Sequence, residues 1–450
     1  MKSLFLTSND ISLDEPFTLY HSQKGWSEML LMLKNENNPP LHFLFMHYWI
    51  NFFGTEVFAA RFPSLIFSSL AAPVIFITGK KHLSLRTGIL AALLYSFSTF
   101  HVFYAHDARV YSLFFLLSAS SLYLFLEIIS RNKKKINYFL LFLFNALLCY
   151  THFFGIIVVG MQLLCVLLIP ACRFFLKKYF LITVAVIIAY SFYLPILLNR
   201  FSASSGGTWI EKPLFSDLYT MFWRFSNVPV LTVLLLAVIC AGIFKYFNGK
   251  EKTLAVPVLL LSMLIPYISL FIISQRLPVF LDRYLIFISL YYYLLAAYAI
   301  DLLTSKMKYG LILLIIIPSI MMLTVKLNPP KKRNVNEVVA EVKEKMTPSA
   351  IIILAPEWFD LNFVYYYNHD WFKNTSTLRD TLIANKIFPV NYSSDLAGQD
   401  ILKASEIIFV DAGNKSMDPE NKIYNMIHSE FTSVSTHTVY ENLNVYTFKK

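Results

Sequence analysis

Ten separate apolar runs, each close to the length that crosses a bilayer, constrain this chain more than any other feature. They occupy residues 63–78, 88–104, 111–129, 136–150, 154–169, 179–198, 228–244, 254–274, 284–303 and 309–325. A helix needs roughly 20 apolar residues to traverse the hydrocarbon. Charged residues are only 15% of the chain and the mean hydropathy is +0.55, which leaves too little polar surface for a soluble protein of this size. The expected fold class is a polytopic α-helical membrane protein.

The net charge of +11 is explained by its placement. Lys and Arg cluster in the loops at 80–86, 131–135, 173–178, 245–252 and 305–308, which are every second loop as the spans are counted. All five therefore belong on one face, the cytoplasm, as the positive-inside rule requires. No zinc finger, phosphate-binding glycine loop or aromatic-basic repeat points to nucleic acid. The loops at 105–110, 151–153, 199–225 and 275–283 then face outward, as does everything before Pro63, provided residues 41–53 do not cross. That stretch is short, rich in aromatics and broken by His42, His47 and Asn51, the pattern of a helix lying along the interface. No span precedes this outer segment, so it crosses either by short tail translocation or, the favoured expectation, behind an upstream helix. The four cysteines, Cys149, Cys165, Cys172 and Cys240, lie in or beside apolar runs without a CxxC spacing and read as small hydrophobes.

Composition divides the chain into an outer loop region at 1–62, a membrane domain at 63–326 and a C-terminal domain at 327–450. After the linker Pro329-Pro330-Lys331-Lys332-Arg333 the pattern becomes soluble. Residues 334–345 read as an amphipathic helix, 350–355 and 406–410 as buried strands, 361–367 as a helix and 436–448 as a hairpin around Glu441-Asn442. Strands alternating with helices predict a small α/β domain on the outer side.

Ionisable residues at or near membrane depth are functional candidates because their burial is costly unless they are paired. The outward loops collect Asp10, Asp14, Glu15 and Asp107 with Arg61, Arg109, Arg276 and Arg283, and His106 and His152 lie close by in sequence. Carboxylates and guanidinium groups on one face suit sugar transfer from a phosphate leaving group: a carboxylate takes the acceptor proton, and arginines bind the phosphate. Each residue also has a plainer reading. Asp14-Glu15 can be a solvated loop before a helix, Arg109 a snorkelling span end, His152 a turn cap and Arg283-Tyr284 an interface anchor.

Taken in order, Leu13-Asp14-Glu15, Asn38-Pro39-Pro40-Leu41, Arg61-Phe62-Pro63-Ser64, His106-Asp107-Ala108-Arg109-Val110-Tyr111, Thr151-His152-Phe153-Phe154-Gly155 and Asp282-Arg283-Tyr284-Leu285 resemble the GT-C membrane glycosyltransferases. The similarity is to the branch of protein O-mannosyltransferases and the lipid A aminoarabinose transferase, and it covers about residues 10–290. In that family the Gln-Glu-Ala-Arg segment is common where this chain has His106-Asp107-Ala108-Arg109. The resemblance implies a GT-C-type fold and an inverting transfer from a polyprenyl-phosphate sugar to a lipid, glycan or protein acceptor. It further implies Asp14 as catalytic base with Glu15 beside it. Arg109 is implied at the lipid phosphate, with Arg283 and Arg61 as further phosphate contacts, and His106, Asp107, Tyr111 and His152 near substrate. A divalent metal is a possible helper, and a bacterial inner membrane with an extracytoplasmic site is the expected setting. The alternative is a transporter or flippase of lipid-linked sugars, which should carry its charges near the bilayer midplane and show broken, repeated spans.

Overall fold

The computed structural model describes residues 2–450 except 37, 132–133, 205–209, 250–251, 304, 328–333, 397–403, 415–416 and 441–442. The linker at 329–333 and the hairpin tip Glu441-Asn442 lie outside the described residues. The chain forms two compact units. One comprises Met1–Leu4, Trp26–Phe45 and Arg61–Asn328, and the other Phe5–Gly25, Met46–Ala60 and Pro329–Lys450. Packing thus shares residues 1–62, a single stretch by composition, between both units.

The first unit is helical, and the ten apolar runs are mostly helix, two of them divided between a pair of helices. By length and composition four described helices suffice to cross a membrane: Val57–His82, Tyr111–Ile129, Pro229–Asn248 and Ala255–Ile273. Two bent pairs raise that number to six if each is one span, and Lys135–Thr151, Ile286–Asp301 and Tyr309–Met322 are shorter apolar helices. Tyr111–Ile129 and Ile286–Asp301 are apolar on every side and buried almost throughout, as central helices of a bundle must be. Other helices turn large apolar groups outward, with Val230 74%, Phe244 73% and Leu181 66% exposed. A surface of that kind is stable only against hydrocarbon. The chain is an integral membrane protein.

Buried polar side chains tie the helices together. Ser121 donates to Asn145 Oδ1 (2.5 Å), Asn145 to Gln162 Oε1 (3.1 Å) and Gln162 to Ser121 Oγ (2.7 Å), and the Tyr179 hydroxyl reaches Gln162 Oε1 at 2.8 Å. This closed ring links four helices in a region where an unmet donor has no water to turn to. Between Val57–His82 and Leu85–Ser96 the backbones approach so closely that a Cβ on Gly79 would lie 2.6 Å from Gly88 Cα.

Two runs read as continuous are broken. The stretch 88–104 divides into Leu85–Ser96 and Thr99–Ala105 with a bend of 62°. Asn227, in the left-handed region at φ +70°, supplies the missing bonds. Its Oδ1 accepts the Thr99 N–H at 2.8 Å and its Nδ2 donates to Phe97 O at 3.0 Å, so backbone groups freed by the break stay paired. The stretch 179–198 divides between Leu176–Tyr190 and Leu194–Ser204.

In the second unit β1 (Ala350–Ala355), β2 (Ile387–Pro389), β3 (Glu406–Ala412), β4 (Thr432–Tyr440) and β5 (Leu443–Lys449) form one sheet in the order β2-β1-β3-β5-β4. β1 runs parallel to both β2 and β3, whereas β5 is antiparallel to β3 and β4. β1 is buried along its whole length, as expected of a central parallel strand. The anticipated helices appear as Val335–Lys345 and Asp360–Tyr367. The three-residue β2 and the helices Leu378–Ala384 and Lys422–Glu430 are too short or too polar to stand out in the sequence. A small C-terminal α/β sheet domain is therefore present, and residues 5–25, including the helix Glu15–Ser22, pack within the same unit.

Candidate active site

In the first unit the loop at 106–110 sits between Thr99–Ala105 and Tyr111–Ile129. Ala108 is fully buried and Arg109 is 7% exposed. The Arg109 N–H donates to Asp107 O at 2.7 Å, and Ser64 Oγ donates to Arg109 O at 3.3 Å. Arg61, 3% exposed, lies one turn before Ser64 on Val57–His82, so one helical face carries both. His106 Nε2 donates instead to Lys2 O at 2.5 Å. Lys2 is itself buried, with Nζ 2.7 Å from Ser68 Oγ and 3.8 Å above the Tyr95 ring.

His152 occupies the tight turn between Lys135–Thr151 and Gly155–Leu168. Its Nδ1 accepts the Phe154 N–H at 3.1 Å, so it does cap its turn. The turn closes because position 155 is glycine: a Cβ there would lie 2.4 Å from Leu148 O. The imidazole stacks on Phe114 at 4.8 Å and stands 5.3 Å from the Tyr284 ring and 6.3 Å from that of Tyr111. Burial, then the positive charges of Arg109 and Arg283, push the His152 pKa down to about 3. His42 is driven down to about 3 by the same causes, burial first and then Arg109. At neutral pH both imidazoles are uncharged and able to donate one hydrogen bond without adding a charge.

Arg283 lies over the Tyr284 ring at 5.8 Å. Its backbone N–H donates to Asp282 Oδ1 at 2.7 Å, and Asp282 Oδ2 pairs with Arg224. One unit thus gathers Arg109, His152, Tyr111 and Arg283, adds Ser64 beside Arg61, and turns His106 toward the N-terminal segment. His42 was missed by sequence reasoning. Its signal was a histidine two residues after Pro39-Pro40 in a mostly apolar helix, and Tyr193 holds that turn by donating to Asn38 O at 3.2 Å.

Asp14 and Glu15 belong to the second unit. Asp14 is half-buried at the start of Glu15–Ser22, where its carbonyl accepts the Thr18 N–H at 3.2 Å. Glu15 is 3% exposed and its Oε2 accepts the Ser12 N–H at 3.3 Å, a reciprocal closure of the 12–15 turn with the Glu15 N–H on Ser12 O. Leu13, between them, holds φ +56°, a left-handed conformation that costs a non-glycine residue about 1 kcal/mol. Asp10 accepts the Asn336 N–H at 2.8 Å, at the positive end of the helix Val335–Lys345. Among the described residues no three His, Cys, Asp or Glu side chains gather as metal ligands. That donor set does not fit a metal held by protein groups alone, and no step below is routed through one.

Residues 37–198 match the family model described as dolichyl-phosphate-mannose-protein mannosyltransferase. No curated protein matches the sequence directly. Among solved structures the chain superposes on ArnT from Cupriavidus metallidurans in the apo state with a TM-score of 0.63 at 11% identity, covering 99% of this chain and 95% of that one. For ArnT bound to undecaprenyl phosphate the TM-score is 0.60 at 10% identity, with the same coverage of 99% and 95%. The fold is that of the GT-C membrane glycosyltransferases. The Archaeoglobus fulgidus oligosaccharyltransferase, in complex with zinc and sulfate, shares the GT-C fold at a TM-score of 0.51 and 10% identity, over 89% of this chain and 64% of that one. The GT-C likeness to ArnT extends over nearly the whole chain, the C-terminal sheet domain included.

Proposed function

We propose that the chain is an inverting glycosyltransferase that moves a sugar from a polyprenyl-phosphate donor to an acceptor hydroxyl at the extracytoplasmic face of a bacterial inner membrane. The supporting observation is the pair of guanidinium groups, Arg109 and Arg283, that both act on the buried His152 and add to burial, the larger cause, in lowering its pKa. Such a site favours an anion and stabilises most strongly the extra charge that a departing phosphate acquires. The undecaprenyl phosphate bound by ArnT is a ligand of this chemistry.

In the proposed reaction the Asp14 carboxylate takes the proton of the acceptor hydroxyl. The hydroxyl oxygen forms a bond to the anomeric carbon from the face opposite the phosphate, and the bond from that carbon to the phosphate oxygen breaks with its electron pair. Polyprenyl phosphate leaves with one more negative charge, and the anomeric configuration inverts. Arg109 and Arg283 hold the phosphate, Arg61 adds positive potential beside Ser64, and His152 and Tyr111 shape the sugar end of the donor. Residues 63–326 form the membrane catalytic domain and residues 327–450 the extracytoplasmic one. Lipopolysaccharide, another cell-envelope glycan or a protein is the acceptor class.

The test uses the full chain in membranes with labelled polyprenyl-phosphate sugars. Release of polyprenyl phosphate and appearance of label on an acceptor support the reading. Movement of the intact donor between leaflets, without cleavage, overturns it in favour of transport.

A further inference from the structure

The Asp14 loop is held in place by one face of a helix from the C-terminal domain. Two consecutive bonds do this. The Tyr366 hydroxyl accepts the Ile11 N–H at 2.6 Å, and the Asn362 Nδ2 donates to Leu13 O at 3.1 Å. Asn362 and Tyr366 are four residues apart on Asp360–Tyr367, so their side chains lie one above the other on one face. Ile11 and Leu13 likewise bracket Ser12 at alternate positions of the loop. Asn362 is 2% exposed and Ile11 is fully buried, so water is a poor substitute for either partner.

The carbonyl that Asn362 grips belongs to Leu13, the residue at φ +56° immediately before Asp14. A side chain other than glycine leaves that region readily unless the surroundings hold it there. A flip of Leu13 into an ordinary conformation would swing the next residue, and with it the Asp14 carboxylate. Glu15, closing back on Ser12, fixes the other side of the turn. The helix itself is anchored elsewhere in the same unit, with Tyr365 donating to Thr55 O at 2.8 Å.

We infer that Asn362 and Tyr366 are positioning residues for the glycosyl transfer, holding the left-handed Leu13 and so aiming the Asp14 carboxylate at the acceptor hydroxyl. The inference rests on the reading of Asp14 as base. It gives the C-terminal domain a part in the chemical step. A base displaced by about 1 Å loses rate steeply while substrate binding remote from it survives, so the effect belongs in kcat.

The experiment compares the full-length parent with Asn362→Leu, Asn362→Asp, Tyr366→Phe and Asp14→Asn in lipid nanodiscs. Steady-state transfer kinetics and hydrogen exchange of the peptide spanning residues 8–16 are measured on each. Tyr366→Phe keeps the ring and removes the hydroxyl that accepts the Ile11 N–H, and the melting temperature measured beside it separates the hold from any loss of folding. Asn362→Asp keeps the shape but sets a carboxylate against the Leu13 carbonyl, and is expected to be worse than Asn362→Leu. Support is a kcat lowered roughly 10- to 100-fold with donor KM within about two-fold of the parent, faster exchange at Ile11 and an unchanged melting temperature for Tyr366→Phe. If Asp14→Asn abolishes transfer while the Asn362 and Tyr366 variants keep parental kcat, or exchange at Ile11 is unaltered, the positioning role is overturned and the reading of Asp14 survives. If Asp14→Asn keeps full activity, both fall.

Discussion

Glu15 Oε2 accepts the backbone N–H of Ser12 at 3.3 Å, a bond that gives Glu15 a structural task beside the base proposed at Asp14. The buried Glu15 carboxylate closes the 12–15 turn, and Asp14 stands half-buried at the head of the helix. Asp14→Asn should therefore lower kcat by about 10²- to 10⁴-fold, the range of a lost general base, with donor KM nearly unchanged. Glu15→Gln keeps an acceptor for the Ser12 N–H and should retain most of the activity, while Glu15→Ala should lose both activity and stability. Parallel transfer assays and melting curves of the three variants check this. An inactive but well-folded Glu15→Gln would move the base from Asp14 to Glu15.

In the proposed reaction Arg109 serves the donor rather than proton transfer. Removing one charge-assisted contact to a phosphate costs about 1.5–3 kcal/mol, so Arg109→Ala should weaken donor binding by roughly 10- to 150-fold. Transfer should also slow, because the leaving phosphate gains charge that the guanidinium stabilises. Equilibrium binding of undecaprenyl phosphate to the purified variant measures the first effect directly, and unchanged affinity would remove Arg109 from the phosphate site.

Gly155→Ala tests the turn that carries His152. Its Cβ would come within 2.4 Å of the Leu148 carbonyl oxygen, a backbone atom that cannot move alone. A destabilisation of about 1–3 kcal/mol is expected, together with a loss of donor affinity as His152 shifts relative to Phe114 and Tyr284. Thermal unfolding with and without polyprenyl phosphate reads both. A variant as stable as the parent would mean that the turn relaxes freely.

Burial raises the Asp360 pKa to about 7; the Leu361 N–H, next in size, lowers it, and the smaller effects of Glu357 and Arg379 raise and lower it in turn. The folded form therefore binds a proton that the unfolded chain, with its carboxyl near 3.8, releases. Stability should be greatest below about pH 4 as far as this group is concerned and should decline as pH rises toward 7. Asp360→Asn should remove that slope and raise the melting temperature at pH 7 relative to the parent. Melting curves at intervals from pH 4 to 8 decide it, and identical slopes for the two proteins would contradict the assignment.

The helical scaffold was legible because its determinants are local. A run such as 111–129 declares itself by hydrophobicity alone, and β1 by an unbroken Ile351-Ile352-Ile353-Leu354 core. The break at Phe97–Ser98 was not legible, because the Asn227 that satisfies its free backbone groups lies about 130 residues further on. Arg109, Arg283 and His152 stood out as candidates because ionisable residue types in an apolar chain are conspicuous. His42 was passed over because only the neighbourhood of Arg109, absent from any linear pattern, sets it apart from a histidine on an interfacial helix.

By itself, then, the sequence determined that the chain enters a membrane, that an α/β domain follows, and which ionisable groups are candidates for chemistry. Each follows from the cost of burying or exposing residue types, a property carried by the residues themselves. Only the tertiary structure decided that Glu15 serves its own turn. It alone brought Asn362 onto the carbonyl of Leu13, 349 residues away, and gave that leucine its left-handed backbone. Hydrogen bonds between distant segments depend on the packing of everything between them, and leave no period or spacing in the chain that makes them.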